Sequence, residues 1–237
     1  MSESSPAHGL SIHRSDALTD GVFAVAMTLL VIDLKLPEHS LIHTADDLAQ
    51  ALASLLPKAI SWFISFGVLA FFWFGHQRAF NQVRSADGKL VALNIGQLAF
   101  VSVMPFSAAL VGEHGRALLS QIVYSLNMVA LATMAWLTLR YIYRHPEISR
   151  VAPLAASYRG ARFRLFGLML LSVAAVALQY VVPTLGNIAF TLMMVIMPIS
   201  RRIERSVGDS SMATAAATAT ATPAPAPAPA PLKAPAA

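Results

Sequence analysis

Apolar positions along this chain neither alternate nor disperse; they run in long blocks cut by charges and breakers. The blocks cover 17–36, 59–75, 90–111 and 117–139, followed by an uncharged run over 165–200. At 1.5 Å per residue, that last run of roughly 36 residues would reach about 54 Å as one helix, well beyond the ~30 Å hydrocarbon core. It must fold back, and Pro183, Gly186 and Asn187 sit where a tight turn divides it into 165–182 and 185–199. The pattern therefore predicts six transmembrane helices, the last one short. Between the first two, 37–57 carries Glu38, Asp46 and Asp47 with Leu41, Leu48, Leu52 and Leu55 at near-helical spacing, which predicts a short amphipathic helix outside the membrane.

Composition agrees with this reading. The chain is 56% hydrophobic and 12% charged, against roughly 25% charged residues in ordinary soluble domains. Too little polar surface is available to coat a water-soluble globule. The first block has no basic segment or small-residue cleavage site behind it, so it reads as a retained membrane helix. Cysteine is absent, which excludes disulfide frameworks, thiolate catalysis and thiolate zinc sites.

A net charge of +5 raises the question of nucleic acid, but the placement of the basic residues answers it differently. With the N-terminus inside, the inner segments hold Arg14; Arg78, Arg84 and Lys89; Arg140, Arg144, Arg150, Arg159, Arg162 and Arg164; and Arg201, Arg202, Arg205 and Lys233. Lys35, Lys58 and Arg116 remain outside. This asymmetry predicts a multi-pass cell-membrane protein with both termini cytoplasmic, its positive charge facing anionic inner-leaflet lipid, and it gives a nucleic-acid partner no support. The domain reading is a six-helix membrane unit over 1–205 and a disordered Ala/Thr/Pro-rich tail over 206–237, where the apolar bulk needed for ordering is missing.

The first helix differs from the others. Its clean apolar run, 21–32, is short and bracketed by Asp20 on one side and Asp33 with Lys35 on the other, a pattern suited to a bundle interior or a wet path. At 100° per residue, Leu18, Gly21, Val25, Thr28, Leu29 and Ile32 share one stripe, while Asp16, Asp20, Phe23, Met27 and Val31 lie roughly opposite. The stripe is smooth, with the Thr28 hydroxyl its one polar group. It reads either as the lining of an ion path or as a packing seam made close by Gly21, Ala24 and Ala26. Asp20 reads as a proton or cation ligand, or as a buried structural acid paired with Arg14, His76 or Asn94. His76 reads as a hydrogen-bonded helix-end residue or a pH sensor. Asp33 either gathers cations at an outer mouth or anchors the helix end. Trp62, Trp73, Tyr141 and Tyr143 read as interfacial belt residues without chemistry. The stretch from Arg140 to Arg164 reads as a solvated inner loop or a lipid-headgroup contact.

These residues resemble a known family. Arg14-x-x-x-Leu18-Thr19-Asp20, followed by Gly-Val-Phe-Ala-Val-Ala-x-Thr28, is similar to the first-helix signature R-x-x-x-F-S-D of the prokaryotic branch of the lysosomal potassium channel TMEM175 family. Trp73-x-x-His76, Asn94 and Met104-Pro105-Phe106 resemble that family's pattern in order and spacing, so the specific likeness covers about 14–112. Phe-Ser of the signature is Leu18-Thr19 here. The resemblance implies a homotetramer of six-helix subunits whose first helices line a central potassium path, without a TVGYG filter, and none occurs in this chain. Carried over by register from Asp20, the pore positions fall at Val25, Thr28 and Ile32, with Leu29 on the same stripe. Val25 and Ile32 would then be hydrophobic constrictions, and Arg14, Thr19, Asp20, His76 and Asn94 a structural network.

The expectation is thus an all-α integral membrane channel subunit, passing potassium and needing no cofactor. No paired acids, Ser/His constellation, HExxH or phosphate loop appears, so an enzyme is not expected. Two rival functions remain open: a proton-coupled or small-solute carrier using Asp20 and His76, and a membrane scaffold without transport. The missing Arg repeat of a voltage sensor argues against steep voltage gating.

Overall fold

The computed structural model describes residues 12–36, 43–150 and 155–182, all of them in the first of the chain's two compact units, Met1–Ile196. Six α-helices follow one another: α1 (Ile12–Leu29), α2 (Ala45–Ser54), α3 (Leu56–Phe80), α4 (Gly88–Glu113), α5 (Leu118–Arg144) and α6 (Ala155–Val181). Among the described residues there is no strand, and five helices are long and apolar enough to cross a membrane, α2 being the exception. The expected sixth span over 185–199, the boundary near residue 205 and the Ala/Thr/Pro tail lie outside the described residues.

The helices outrun the apolar blocks because their ends are capped by polar residues that hydropathy discounts. Asp87 caps α4, its carboxylate accepting from the Leu90 N–H at 2.9 Å, and Pro57 sits in the first turn of α3, where a missing N–H costs nothing. In α2, Thr44 and Asp47 form a capping box: each side chain accepts from the other's backbone N–H, at 3.1 and 2.9 Å. That box explains why the helix starts at Ala45. Its leucines Leu48 and Leu52 are exposed, so the amphipathic face predicted there is not covered within the protomer.

Helix α4 lies at the centre, packed against α1, α3 and α5, and α6 packs on α5. The interior between α3, α4 and α5 joins small residues and satisfied hydroxyls, the way helices associate where lipid gives no hydrophobic drive. Ser61 donates to the Ala108 carbonyl at 3.0 Å, the Ser65 and Tyr124 hydroxyls meet at 3.1 Å, and Asn127 donates to Ser107 at 3.3 Å.

At the Arg-rich end, the loops after α3 and α5 are joined by backbone bonds from Arg84 N–H to the Ile148 carbonyl and from Arg150 N–H to the Gln82 carbonyl, each 2.7 Å. An apolar cluster of Phe80, Val83, Leu90, Ile142 and Ile148 seals this junction. The Tyr141 hydroxyl also donates to Asp87 there. Tyr141 is therefore a tether to the α4 cap and not only the belt residue its position implied. Burial pushes the Asp87 pKa up, but the Tyr141 hydroxyl, the Leu90 N–H and the charges of His145 and Lys89 outweigh it and hold the carboxyl below its ordinary range. At the opposite end, Lys58 pairs with Glu113 at 2.9 Å and ties α3 to α4.

Candidate functional site

Helix α1 has one face locked into the bundle and another left open. Thr19, Phe23, Ala26 and Leu30 are buried, spaced four, three and four residues apart, which is a packing seam against α4 and α3. Leu18, Val25, Leu29 and Ile32 are half-exposed, on a stripe turned about 120° from that seam at 100° per residue. A groove of roughly 390 Å³ runs along the open face, lined by Leu18, Gly21, Val25 and Leu29 with Ser102 of α4.

Thr28 lies on the open face with its proton committed. Its hydroxyl donates to the Val25 carbonyl at 2.8 Å, so what the oxygen offers outward is lone pairs. A hydroxyl held this way can accept or coordinate a cation and cannot donate to an anion. Val25 stands one turn before it and Ile32 about one turn after, so a polar oxygen sits between two apolar side chains on this face.

Past Leu29 the helix tightens into a 3-10 turn over Leu30–Asp33. Rotation per residue then rises from 100° to about 120°. This shift accounts for Val31, expected opposite the stripe yet exposed, while Leu30 is buried. Asp33 is half-buried, beside Lys58, Trp62 and Gly112 in a small pocket at the Lys58–Glu113 end.

The locked face is held by one amide. Asn94 of α4 donates to Ser15 Oγ at 3.0 Å and Thr19 Oγ1 at 2.9 Å. Its Oδ1 lies 2.9 Å from His76 Nε2 of α3. With both N–H groups spent on α1, Oδ1 must accept, so the His76 ring carries its proton on Nε2. The His76 Nδ1 is buried without a partner, and the ring stacks on Phe80 with centroids 4.0 Å apart. Thr19 closes the set by donating to the Ser15 carbonyl at 2.9 Å.

The structure thus brings Thr19, His76 and Asn94 together, with Ser15 as a member the sequence did not single out. Asp20 differs from expectation: it is exposed, and its Oδ1 accepts from Trp73 Nε1 at 2.8 Å and Gln77 Nε2 at 2.6 Å. Arg14 is exposed and stands apart from these contacts. The physical reason is angular: Asp20 is one residue beyond Thr19, so when Thr19 points at α4 its neighbour swings about 100° towards α3. Trp73 and Gln77, four residues apart on α3, form the clamp that receives it. Trp73 is accordingly an Asp20 ligand. Gln77 was not legible as functional, because a lone glutamine at a helix end carries no motif.

The helices that meet at Asn94 are the ones that known proteins share. The model of the family described as endosomal/lysosomal potassium channel TMEM175 matches residues 14–105, which run from the first turn of α1 to Pro105 in α4. Residues 14–105 carry the TMEM175 family's sequence pattern. A curated potassium channel from Chamaesiphon minutus is 35% identical over 122 residues, covering 50% of this chain and 60% of that one. A mouse protein named endosomal/lysosomal proton channel TMEM175 is 34% identical over 103 residues, 41% of this chain and 21% of its own length. The chain therefore matches less than two thirds of the length of these curated relatives. A crystal structure described as a lysosomal potassium-selective channel TMEM175 homolog from Chamaesiphon minutus superposes with a TM-score of 0.66 at 28% identity, covering 80% of this chain and 97% of that one. The TMEM175 likeness in fold thus extends well beyond the segment in which the family's sequence pattern is found.

Proposed function

We propose that this chain is a subunit of a potassium-permeable cation channel, assembled as a homotetramer with α1 of each copy around a common axis and the Arg-rich end in the cytoplasm. The observation that carries the reading is the division of α1 into a hydrogen-bonded face and an open stripe. Asn94 and the Trp73–Gln77 clamp hold the rotation of α1, so that Val25, Thr28, Leu29 and Ile32 are presented away from the bundle. One helix cannot enclose a path, so the stripe needs copies of itself. In such a ring Val25 and Ile32 exclude ions by dewetting when narrow, and the Thr28 oxygens supply contact for a dehydrating cation. Asp33, near the outer end, would raise the local cation concentration. The potassium channel among the relatives supports this choice of ion.

The mouse relative's name favours a second reading, in which protons share the path. A carrier built on Asp20 and His76 is less well supported: neither lines the groove, and they are held in separate contact sets.

The test is flux from liposomes holding the purified full-length protein, with potassium, sodium and proton gradients imposed in turn, alongside the subunit number in detergent. Potassium flux exceeding sodium flux, from a tetramer, is the expected result. A monomer, or flux unchanged by bulky replacements at Val25, Thr28 and Ile32 alike, would overturn it.

A further inference from the structure

Helices α5 and α6 meet at the Arg-rich end along a seam whose register is set by two ring contacts. Trp136 lies against Phe166 with centroids 5.9 Å apart, and Tyr143 stacks on Tyr158 at 4.4 Å. Between these contacts come Arg140 and Arg162. The Arg140 guanidinium carbon is 5.2 Å from the Trp136 ring centroid, and that of Arg162 is 6.0 Å from the Tyr158 centroid. Ring contacts of this kind engage the flat face of a guanidinium and leave its N–H edges free. Among the described residues neither group has a hydrogen bond or an ion pair, the described ion pair being Lys58–Glu113 at the other end. Two like charges fixed on one seam call for an anion, and the guanidinium fork matches phosphate.

Depth identifies which phosphate. Arg140 stands 22 residues after Leu118 at the far end of α5, and Arg162 stands 19 before Val181 at the far end of α6, or about 33 and 29 Å at 1.5 Å per residue. Both match the ~30 Å hydrocarbon thickness, so both guanidiniums reach the headgroup level of one leaflet. Below them Phe166, Leu170 and Val173 continue the Arg162 stripe of α6 towards the membrane centre, exposed at 48, 72 and 62%. A free phosphate ion would have no use for that stripe.

We infer that the Arg140–Arg162 seam binds the phosphate of an anionic phospholipid, whose acyl chain lies along Phe166, Leu170 and Val173. This site rests on the chain spanning a membrane and not on which ion it passes. Full-length protein in detergent, titrated with phosphatidylglycerol or phosphatidylcholine and read by native mass spectrometry and thermal unfolding, provides the test. Phosphatidylglycerol is expected to be retained over phosphatidylcholine. Each arginine near an anionic headgroup contributes about fivefold, so Arg140→Gln with Arg162→Gln should weaken retention roughly 25-fold. Equal retention of the two lipids by the wild-type protein would overturn the site, and this comparison decides the matter even if the double variant does not fold. Undiminished retention by a folded double variant would do the same, as would full displacement of the lipid by millimolar inorganic phosphate.

Discussion

Asn94 Oδ1 accepts from His76 Nε2 at 2.9 Å, and the direction of this bond is dictated by what the other end of the amide does. Because Asn94 gives both N–H groups to Ser15 and Thr19, three helices share one side chain and the imidazole is confined to one tautomer.

Asn94→Ala should therefore be costly. It leaves His76 and the buried Thr19 without their partner, and each buried group left unsatisfied costs about 1–3 kcal/mol. A drop in thermal midpoint larger than that of a surface substitution such as Lys89→Ala is expected in detergent. An Asn94→Ala protein as stable as wild type would mean that α1 is held by apolar packing and the Trp73–Gln77 clamp without this amide.

Thr28→Val keeps shape and removes the oxygen. If that oxygen contacts the permeating ion, losing a charge-assisted contact worth roughly 1.5 kcal/mol slows potassium flux about tenfold, and Thr28→Ser restores most of it. Identical potassium-over-sodium preference in Thr28→Val and wild type would remove the hydroxyl from the path.

Gly21 separates the protomer from the assembly. A Cβ built there meets nothing within 4 Å, so within one chain Gly21→Ala should be neutral or, by helix propensity, stabilising by up to about 1 kcal/mol. Gly21→Leu should leave the protomer folded yet lower ion flux or shift the subunit number, since the bulk would project towards the proposed axis. Wild-type flux from a Gly21→Leu tetramer would place this face against lipid.

The Asp87 cap makes a pH-dependent contribution. Its folded pKa lies below the ordinary value, so near pH 4 the unfolded state binds more protons and stability rises with pH. The contribution is complete above the unfolded value of about 3.9 and fades as pH falls through the folded one. Asp87→Ala should cost about 1 kcal/mol at neutral pH, as for a lost helix cap, with the difference from wild type narrowing in acid. Tyr141→Phe should reproduce part of that narrowing. A difference constant from pH 7 down to pH 3 would show that the cap does not titrate with folding.

Much of this molecule can be read without coordinates. The four early spans and the first part of the terminal apolar run follow from block hydropathy, because a 30 Å apolar slab imposes a length that sequence displays directly. The stripe on α1 was equally legible down to Leu29, since a regular helix converts spacing into direction. Where regularity stopped, so did legibility: the 3-10 turn at Leu30 brings out Val31, expected opposite the stripe, and nothing in Leu-Val-Ile-Asp announces it. Asp20 shows a second limit. Its need for a partner was evident, but Trp73 and Gln77 lie more than 50 residues away and are chosen by which side of α1 turns to α3.

The amino-acid sequence alone determined that this chain lives in a membrane, how many times its early part crosses, and which residues of α1 share a face, because length, hydropathy and a 3.6-residue period are local quantities. Only the tertiary structure decided which of those faces is locked and which is open, what clamps Asp20, and that Arg140 and Arg162 share a seam. Those facts depend on how helices rotate and meet, and rotation is set by a few distant hydrogen bonds and ring contacts whose partners no local pattern identifies.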